Sequence, residues 1–274
     1  MSAVSTELFL QQDQPAGVPP LPLTGERTLP DVPAENYWFR RHLAVYEWIA
    51  RRTAGQRVLD MACGEGYGSA LIARGVPGHG GARSVVGVDA NPEAHEHARL
   101  RYVAPHLRFD RALVETYMPA DGELFDAVVF LQTIEHVQDP VQVLSHFAEL
   151  LAPGGVVYVS TPNLLTLAPA GAEKSSNPWH LKEYRADEFT ELCASVFASV
   201  RVLGLFHAGK LRAHELALAL GWDRIHSSLG ITDLFYDWFT PAIAERDFVL
   251  RDGPLDRSLD FIAVCQPEEK DVRS

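Results

Sequence analysis

Val58 to Ala73 reads VLDMACGEGYGSALIA, and the fold follows from that stretch. An apolar lead-in ends on an acid, Asp60. A turn with Gly64, Gly66 and Gly68 comes next, and then the apolar face of a helix. Strand, tight turn and helix in that order aim backbone N–H groups at a helix N-terminus, where a small polar or anionic ligand is held. Glycine suits such a turn because the backbone approaches the ligand closely and adopts positive φ.

Spacing and acid narrow the ligand. Dinucleotide-binding turns read GxGxxG, whereas these glycines fall as GxGxG and Ser69 takes the place of the last one. Asp60, at the carboxyl end of the first strand, repels a pyrophosphate but suits a cationic amino group, directly or through water. A second acid, Asp89, closes the next apolar run, Ser84 to Ala90 (SVVGVDA). Ribose hydroxyls are read at that point in doubly wound folds. The implied ligand has a ribose and an ammonium but no phosphate, a description that S-adenosylmethionine (SAM) fits.

The runs VLDMACGEG, VVGVDAN, FDAVVFLQTIEHVQDP and LAPGGVVYVSTPN, spanning Val58 to Asn163, resemble the class I SAM-dependent methyltransferases. Four further stretches resemble a narrower branch, actinobacterial methyltransferases associated with methylglucose lipopolysaccharide. They are Thr24 to Trp48, Asn177 to Tyr184 (NPWHLKEY), Gly204 to Arg212 (GLFHAGKLR) and Asp256 to Val264 (DRSLDFIAV). The broad resemblance implies an α/β, Rossmann-like doubly wound sheet of seven strands in the order 3-2-1-4-5-7-6. The narrow one implies methylation of a sugar hydroxyl, the 6-OH of glucose in a polysaccharide precursor.

Patterning fills in the chain. Residues 1–23, rich in Gln, Pro and Ala, read as a disordered tail, and 24–274 as a single domain. Aromatic and basic residues recur at helical spacing over about 34–52, either as a helical cap over the cofactor pocket or as a helix packed on the sheet. Strands are expected at Arg57 to Met61, Ser84 to Asp89, Leu107 to Phe109, Phe125 to Leu131 and Val156 to Ser160. Asp139-Pro140 opens a helix with Val143, Leu144, Phe147 and Leu151 on one face, ended by Pro153-Gly154-Gly155. Val200 to Phe206 and Ser258 to Cys265 read as the last two strands, an antiparallel edge. About 208–251 is too long for a hairpin loop and reads as a helical insertion.

Composition sets limits. A formal charge of -12, with no long basic run, argues against a nucleic-acid partner. No stretch reaches about 18 apolar residues, so no membrane span is expected. Three cysteines cannot form a complete disulfide framework, which points to a reducing, cytoplasmic compartment. Oligomeric state is not fixed.

For the cofactor, the resemblance implies Asp60, Cys63, Gly64, Glu65 and Gly66 at the methionine part, Asp89 and Ala90 at the ribose, and Gln132 near the sulfonium. Relatives often place an Asp or Asn after strand three to read adenine. Here Ala112 takes that position, so backbone groups of Ala112 and Leu113, or Asp110, are the alternatives. Cys63 has no adjacent base and reads as a small packing residue. For the acceptor, an alkyl hydroxyl needs a base within reach. His136, just past strand four, and His180, beside Trp179, are the two candidates, with Trp179 as a sugar platform. Tyr37, His42 and His207 belong to the narrow resemblance and are expected to line the cleft. His79, His95, His97 and His106 read as solvated. No spacing marks a metal site. Mg²⁺ is compatible with the family without being required, and Asp139, Glu173 and Asp187 are carboxylates that could support it. Rival functions are methylation of a small metabolite (phenol, quinone or deoxysugar) and cofactor binding without catalysis.

Overall fold

The structure, a computed structural model, describes residues 14–24, 27–120, 122–169 and 171–268. Among them lie eight strands: β1 (Arg57–Met61), β2 (Ser84–Asp89), β3 (Leu107–Arg111), β4 (Phe125–Leu131), β5 (Leu151–Pro162), β6 (Ser199–His207), β7 (Phe248–Arg251) and β8 (Asp260–Gln266). They form one sheet in the order β3-β2-β1-β4-β5-β8-β6-β7. Neighbours from β3 to β5 run parallel, and β8 pairs antiparallel with both β5 and β6. The expected seven-strand order is therefore present with one addition. β7, from the end of the insertion, pairs antiparallel with β6 at the edge. The sequence marks the insertion, about 208–251, as helical, and its last residues form this strand instead. The run Phe248-Val249-Leu250 is short, but its apolar, β-favouring residues suit a half-buried edge.

Central strands β1 and β4 are buried along nearly their whole length, as expected when helices cover both faces of a parallel sheet. Alternation along each strand sorts the core into two layers. Leu59, Met61, Val128 and Phe130 face α4 (Pro140–Glu149) and α6 (Ala186–Ala194), meeting Leu144, Phe147 and Phe189. Val58, Ala127 and Val129 face the other way, toward Ile49 of α1 (Asn36–Ala50) and Ile72 of α2 (Tyr67–Arg74). Each fully buried Leu or Phe in these layers contributes about 1.5–3 kcal/mol by leaving water.

Local signals set the helix ends. Asn91 caps α3 (Pro92–Arg101), its side chain accepting from the backbone N–H groups of Glu93 and Ala94, and Pro92 occupies the first turn. Asp139 caps α4 by accepting from Gln142 N. That helix stops at Glu149, and Leu151 already belongs to β5, so the Pro-Gly-Gly run lies inside the strand rather than ending the helix. Asn163 caps the one-turn α5 (Leu164–Leu167). The insertion carries α7 (Gly209–Ala219), α8 (Trp222–Ser228) and α9 (Thr232–Phe239), joined to the α1 side of the core through Leu211 and Phe239.

Of the segment expected as a tail, residues 1–13 lie outside the described residues. The part from 14 to 23 packs on α3: Leu21 is buried, the Pro19 carbonyl accepts from Nδ1 of His97 at 2.7 Å, and Arg101 donates to Gln14 at 2.6 Å. His97 is correspondingly buried rather than solvated. Its partners, the Pro19 carbonyl and the buried Glu65 carboxylate, are 78 and 32 residues away in sequence, which spacing does not reveal.

Candidate active site

The first apolar strand ends in a backbone that only a tight turn can satisfy. Ala62, Gly64 and Gly66 all have positive φ, at 56°, 58° and 95°. The turn is fixed from both sides, with Cys63 N donating to Val88 O at 3.0 Å and Gly64 N to Asp89 Oδ2 at 2.8 Å. Its glycines serve different ends. A Cβ on Gly64 would meet only Arg27 Cγ, at 3.9 Å, so the space above it is open for a ligand. A Cβ on Gly66 would strike Ala98 at 2.8 Å, and one on Gly68 the Tyr46 ring at 2.2 Å. Those two glycines let α3 and α1 close on the turn.

A cavity of about 310 Å³ opens over this turn. Ala62 to Glu65, Asp89 and Leu131 to Thr133 line it from the strand ends, and His42, Tyr46 and Tyr67 from the helices. A second cavity of about 340 Å³ adjoins it, lined by Trp38, Glu135, Asn177 and His180 among others. Arg27, Thr28, His42, Gln132 and His136 border both. A larger hollow of about 470 Å³, between α1 and β7, contains none of the carboxyl ends of the parallel strands.

Asp60 does not reach the first cavity. Alternation along β1 turns its side chain to the α1–α2 face, where Ser69 Oγ donates to it at 2.6 Å and Tyr46 OH at 3.2 Å. Burial pushes its carboxyl up to about 7, against the opposing pull of the Ser69 and Tyr46 hydrogen bonds and with help from the Asp89 charge. In this position the carboxyl braces strand and helices together. Asp89 does line the cavity. Its two oxygens accept from Gly64 N and Asn91 N, each at 2.8 Å, and a carboxylate keeps further lone pairs for a diol. Glu65 borders the cavity too, but its carboxylate points into the protein, accepting from Tyr102 OH at 2.8 Å with His97 Nε2 3.0 Å away. Cys63 is buried, and desolvation holds its thiol well above the ordinary value, so it packs rather than attacks.

Gln132 sits at φ 48°, a second strained position at a strand end. Its backbone N–H and Nε2 donate to Ser160 Oγ at 3.1 and 2.9 Å. Ala90, Asp110, Ala112 and Leu113 lie at the tips of β2 and β3, outside both cavities; Leu113 is exposed and Asp110 accepts from Tyr117 OH at 2.9 Å.

In the second cavity the structure brings His136 and His180 together, with ring centroids 5.0 Å apart. Nδ1 of His136 donates to the Trp179 carbonyl at 3.0 Å, and Nδ1 of His180 to Glu183 Oε1 at 2.7 Å. In the neutral rings Nε2 is then the basic nitrogen of each. Desolvation raises the Glu183 carboxyl, but hydrogen bonds from Ser175 and His180 outweigh it and leave a net lowering. The loop holding His180 is strapped to the 134–136 turn, since Leu181 N and Lys182 N both donate to Glu135 O, at 2.8 and 3.2 Å. Trp179 itself is exposed and borders neither cavity; its carbonyl, not its indole, serves the site.

His42 lines both cavities, and desolvation pushes it down to about 4, keeping it neutral. Tyr37 and His207 do not line them. They bond each other at 2.7 Å, and Nδ1 of His207 donates to Glu215 at 2.6 Å, so α1, β6 and α7 are tied instead. Residues missed in the sequence include Arg27, Thr28 and Ser160. Nothing in the segment before α1 or in a sheet interior marks them by spacing.

Comparison with known proteins agrees with this arrangement. Residues 35–203 match the family model described as a methyltransferase domain. A probable S-adenosylmethionine-dependent methyltransferase of Mycolicibacterium smegmatis is 39% identical over 255 residues, covering 89% of this chain and 95% of the relative. One of Mycobacterium tuberculosis is 37% identical over 256 residues, 89% of each chain. A ubiquinone biosynthesis O-methyltransferase of Albidiferax ferrireducens is 35% identical over 170 residues, 57% of this chain and 65% of its own. Among solved structures, a Thermotoga maritima SAM-dependent methyltransferase, described as a possible histamine N-methyltransferase, shares the fold. Its TM-score is 0.54 at 15% identity, over 85% of this chain and 93% of its own. The chain belongs to the SAM-dependent methyltransferases. It is an enzyme whose cofactor is SAM.

Proposed function

We propose that this methyltransferase acts on a sugar hydroxyl, the 6-OH of glucose in a methylglucose lipopolysaccharide precursor. SAM supplies an electrophilic methyl group, and the protein aligns an acceptor oxygen with it and removes a proton. Asp89 would hold the ribose hydroxyls, and the open space over Gly64 would receive the methionine part. Arg27, at the border of both cavities and without a partner among the described residues, would meet the methionine carboxylate.

One observation carries the acceptor reading: the cavity beyond the cofactor site is walled by polar groups. Glu35, His42, Glu135, His136, Asn177 and His180 line it with Trp38. A polyol can satisfy such a wall, whereas a flat phenol leaves much of it unpaired. His136 and His180 line it, each with Nδ1 engaged as a donor, and are the candidate bases. The resemblance of Asn177 to Tyr184 to the sugar-modifying branch falls on this same loop. The second reading, a phenol or quinone precursor, is favoured by the likeness to ubiquinone O-methyltransferases.

Labelled SAM offered with α-glucan oligosaccharides bearing a glycerate end, maltooligosaccharides, a deoxysugar glycoside and a catechol separates them. Label in the glucans, with a new 6-O-methyl ether, is the expected result. Label in the catechol alone overturns it in favour of the second reading.

A further inference from the structure

Sequence spacing marked no metal site, yet the fold assembles one from two segments. Glu135 and His136 come from the turn after β4, and His180 from the loop strapped onto it. Each offers a potential ligand atom, and these lie within 4.8 Å of one another in the wall of the acceptor cavity. We propose that Glu135, His136 and His180 bind one divalent transition-metal ion.

Orientation supports this beyond proximity. A histidine that ligates a metal ordinarily donates its other N–H to a carboxylate or a backbone carbonyl, which fixes the tautomer. Both partners are present: Nδ1 of His180 donates to Glu183, at 2.7 Å, and Nδ1 of His136 to the Trp179 carbonyl, at 3.0 Å. Nε2 of each ring is the ligating nitrogen. Thr161 Oγ1 donates to Glu135 Oε2 at 3.1 Å and so orients the carboxylate. Ligands about 2.1 Å from an ion stand about 3–3.4 Å apart, so the cluster closes on it by shifts of about 1 Å. Two imidazoles and one carboxylate select Mn²⁺, Fe²⁺, Co²⁺ or Zn²⁺ over Mg²⁺, and three protein ligands leave positions open. The role of the ion rests on the O-methyltransferase reading, in which it would take over activation of the acceptor from the two imidazoles, whose Nε2 atoms it occupies, by lowering the pKa of an acceptor hydroxyl that joins it, the proton leaving to water. Its binding does not rest on that reading.

The test is calorimetric titration of the chelator-stripped full chain with Zn²⁺, Mn²⁺ and Mg²⁺, together with the visible spectrum after Co²⁺ is added. One transition-metal ion per chain is expected, bound at least about tenfold more tightly than Mg²⁺. Glu135→Gln, His136→Ala and His180→Ala should each weaken it at least about tenfold, and Glu183→Gln about 10- to 100-fold through the lost orientation of His180. His79→Ala, at an exposed position, should leave it unchanged. Melting temperature and SAM affinity verify that each variant is folded. No stoichiometric uptake, or uptake indifferent to all three ligand substitutions, overturns the site. Methyl transfer to glucans by metal-free protein also overturns the role of the ion while sustaining the sugar reading. Uptake as expected with label only in the catechol does the reverse.

Discussion

Glu183 accepts a 2.7 Å hydrogen bond from Nδ1 of His180 while its other oxygen accepts from Ser175 N, also at 2.7 Å. The carboxylate is thus anchored at one end and orients the imidazole at the other. Glu183→Gln keeps the shape but lets an amide compete for the same nitrogen. Turnover should fall about 10- to 100-fold with SAM affinity unchanged. Equal kcat for the variant and the parent would remove the orienting role.

His136→Ala should lower turnover by about 10²–10⁴, with SAM affinity within a few-fold, because the ring sits where the two cavities meet. Steady-state rates beside a SAM titration check this. If His180→Ala alone shows that pattern, the two rings exchange roles.

Asp89→Ala should weaken SAM binding by about 1–3 kcal/mol, the cost of unpairing buried polar groups. Because Asp89 also anchors Gly64 N and Asn91 N, Asp89→Asn serves as the milder companion. An affinity unchanged in both variants would remove Asp89 from the ribose.

Stability should depend on pH through Asp60. Its carboxyl is raised in the folded chain from 3.8 to about 7, chiefly by burial. The folded state therefore holds this proton more tightly than the unfolded one. The contribution is complete below the unfolded value and is lost as pH rises through about 7, on the order of 2–4 kcal/mol. Denaturation of Asp60→Asn at a series of pH values should show the variant gaining on the parent between about pH 4 and 7. Parallel curves would rule out Asp60 as the source.

Gly68→Ala places a methyl 2.2 Å from Cζ of Tyr46, inside the α1–α2 contact. The melting temperature should drop by an amount equivalent to about 1–3 kcal/mol. Gly68→Ala should cost less in a Tyr46→Ala background, where the colliding atoms are gone, than in the parent. Unaltered stability in the single variant would show that α1 yields without cost.

The fold was legible because its decisive signals are local. Continuous apolar strands, the Gly64–Gly68 turn and the Asn91 and Asp139 caps each act within a few residues of themselves. Asp60 shows where that legibility stops. Its place at a strand end was readable, but the direction of its side chain depends on which face of β1 meets α1, a tertiary fact. Tyr37 and His207 pair with each other for the same reason, across 170 residues of chain. Trp179 acts through a backbone carbonyl, which any residue carries and no sequence can flag. His136 and His180 were readable singly; their 5.0 Å approach required the strap of Leu181 and Lys182 onto Glu135.

β7 bears on more than the strand order. It covers Gly204 to His207, the more buried half of β6, and is itself only four residues long, ending on Arg251. An open nine-residue β6 would be a template on which another chain could add a strand. A short, charged border offers little to pair with. The insertion that brings β7 therefore also guards the protein against self-association through its sheet. Loosening it by heat should show first as turbidity rather than as lost cofactor binding.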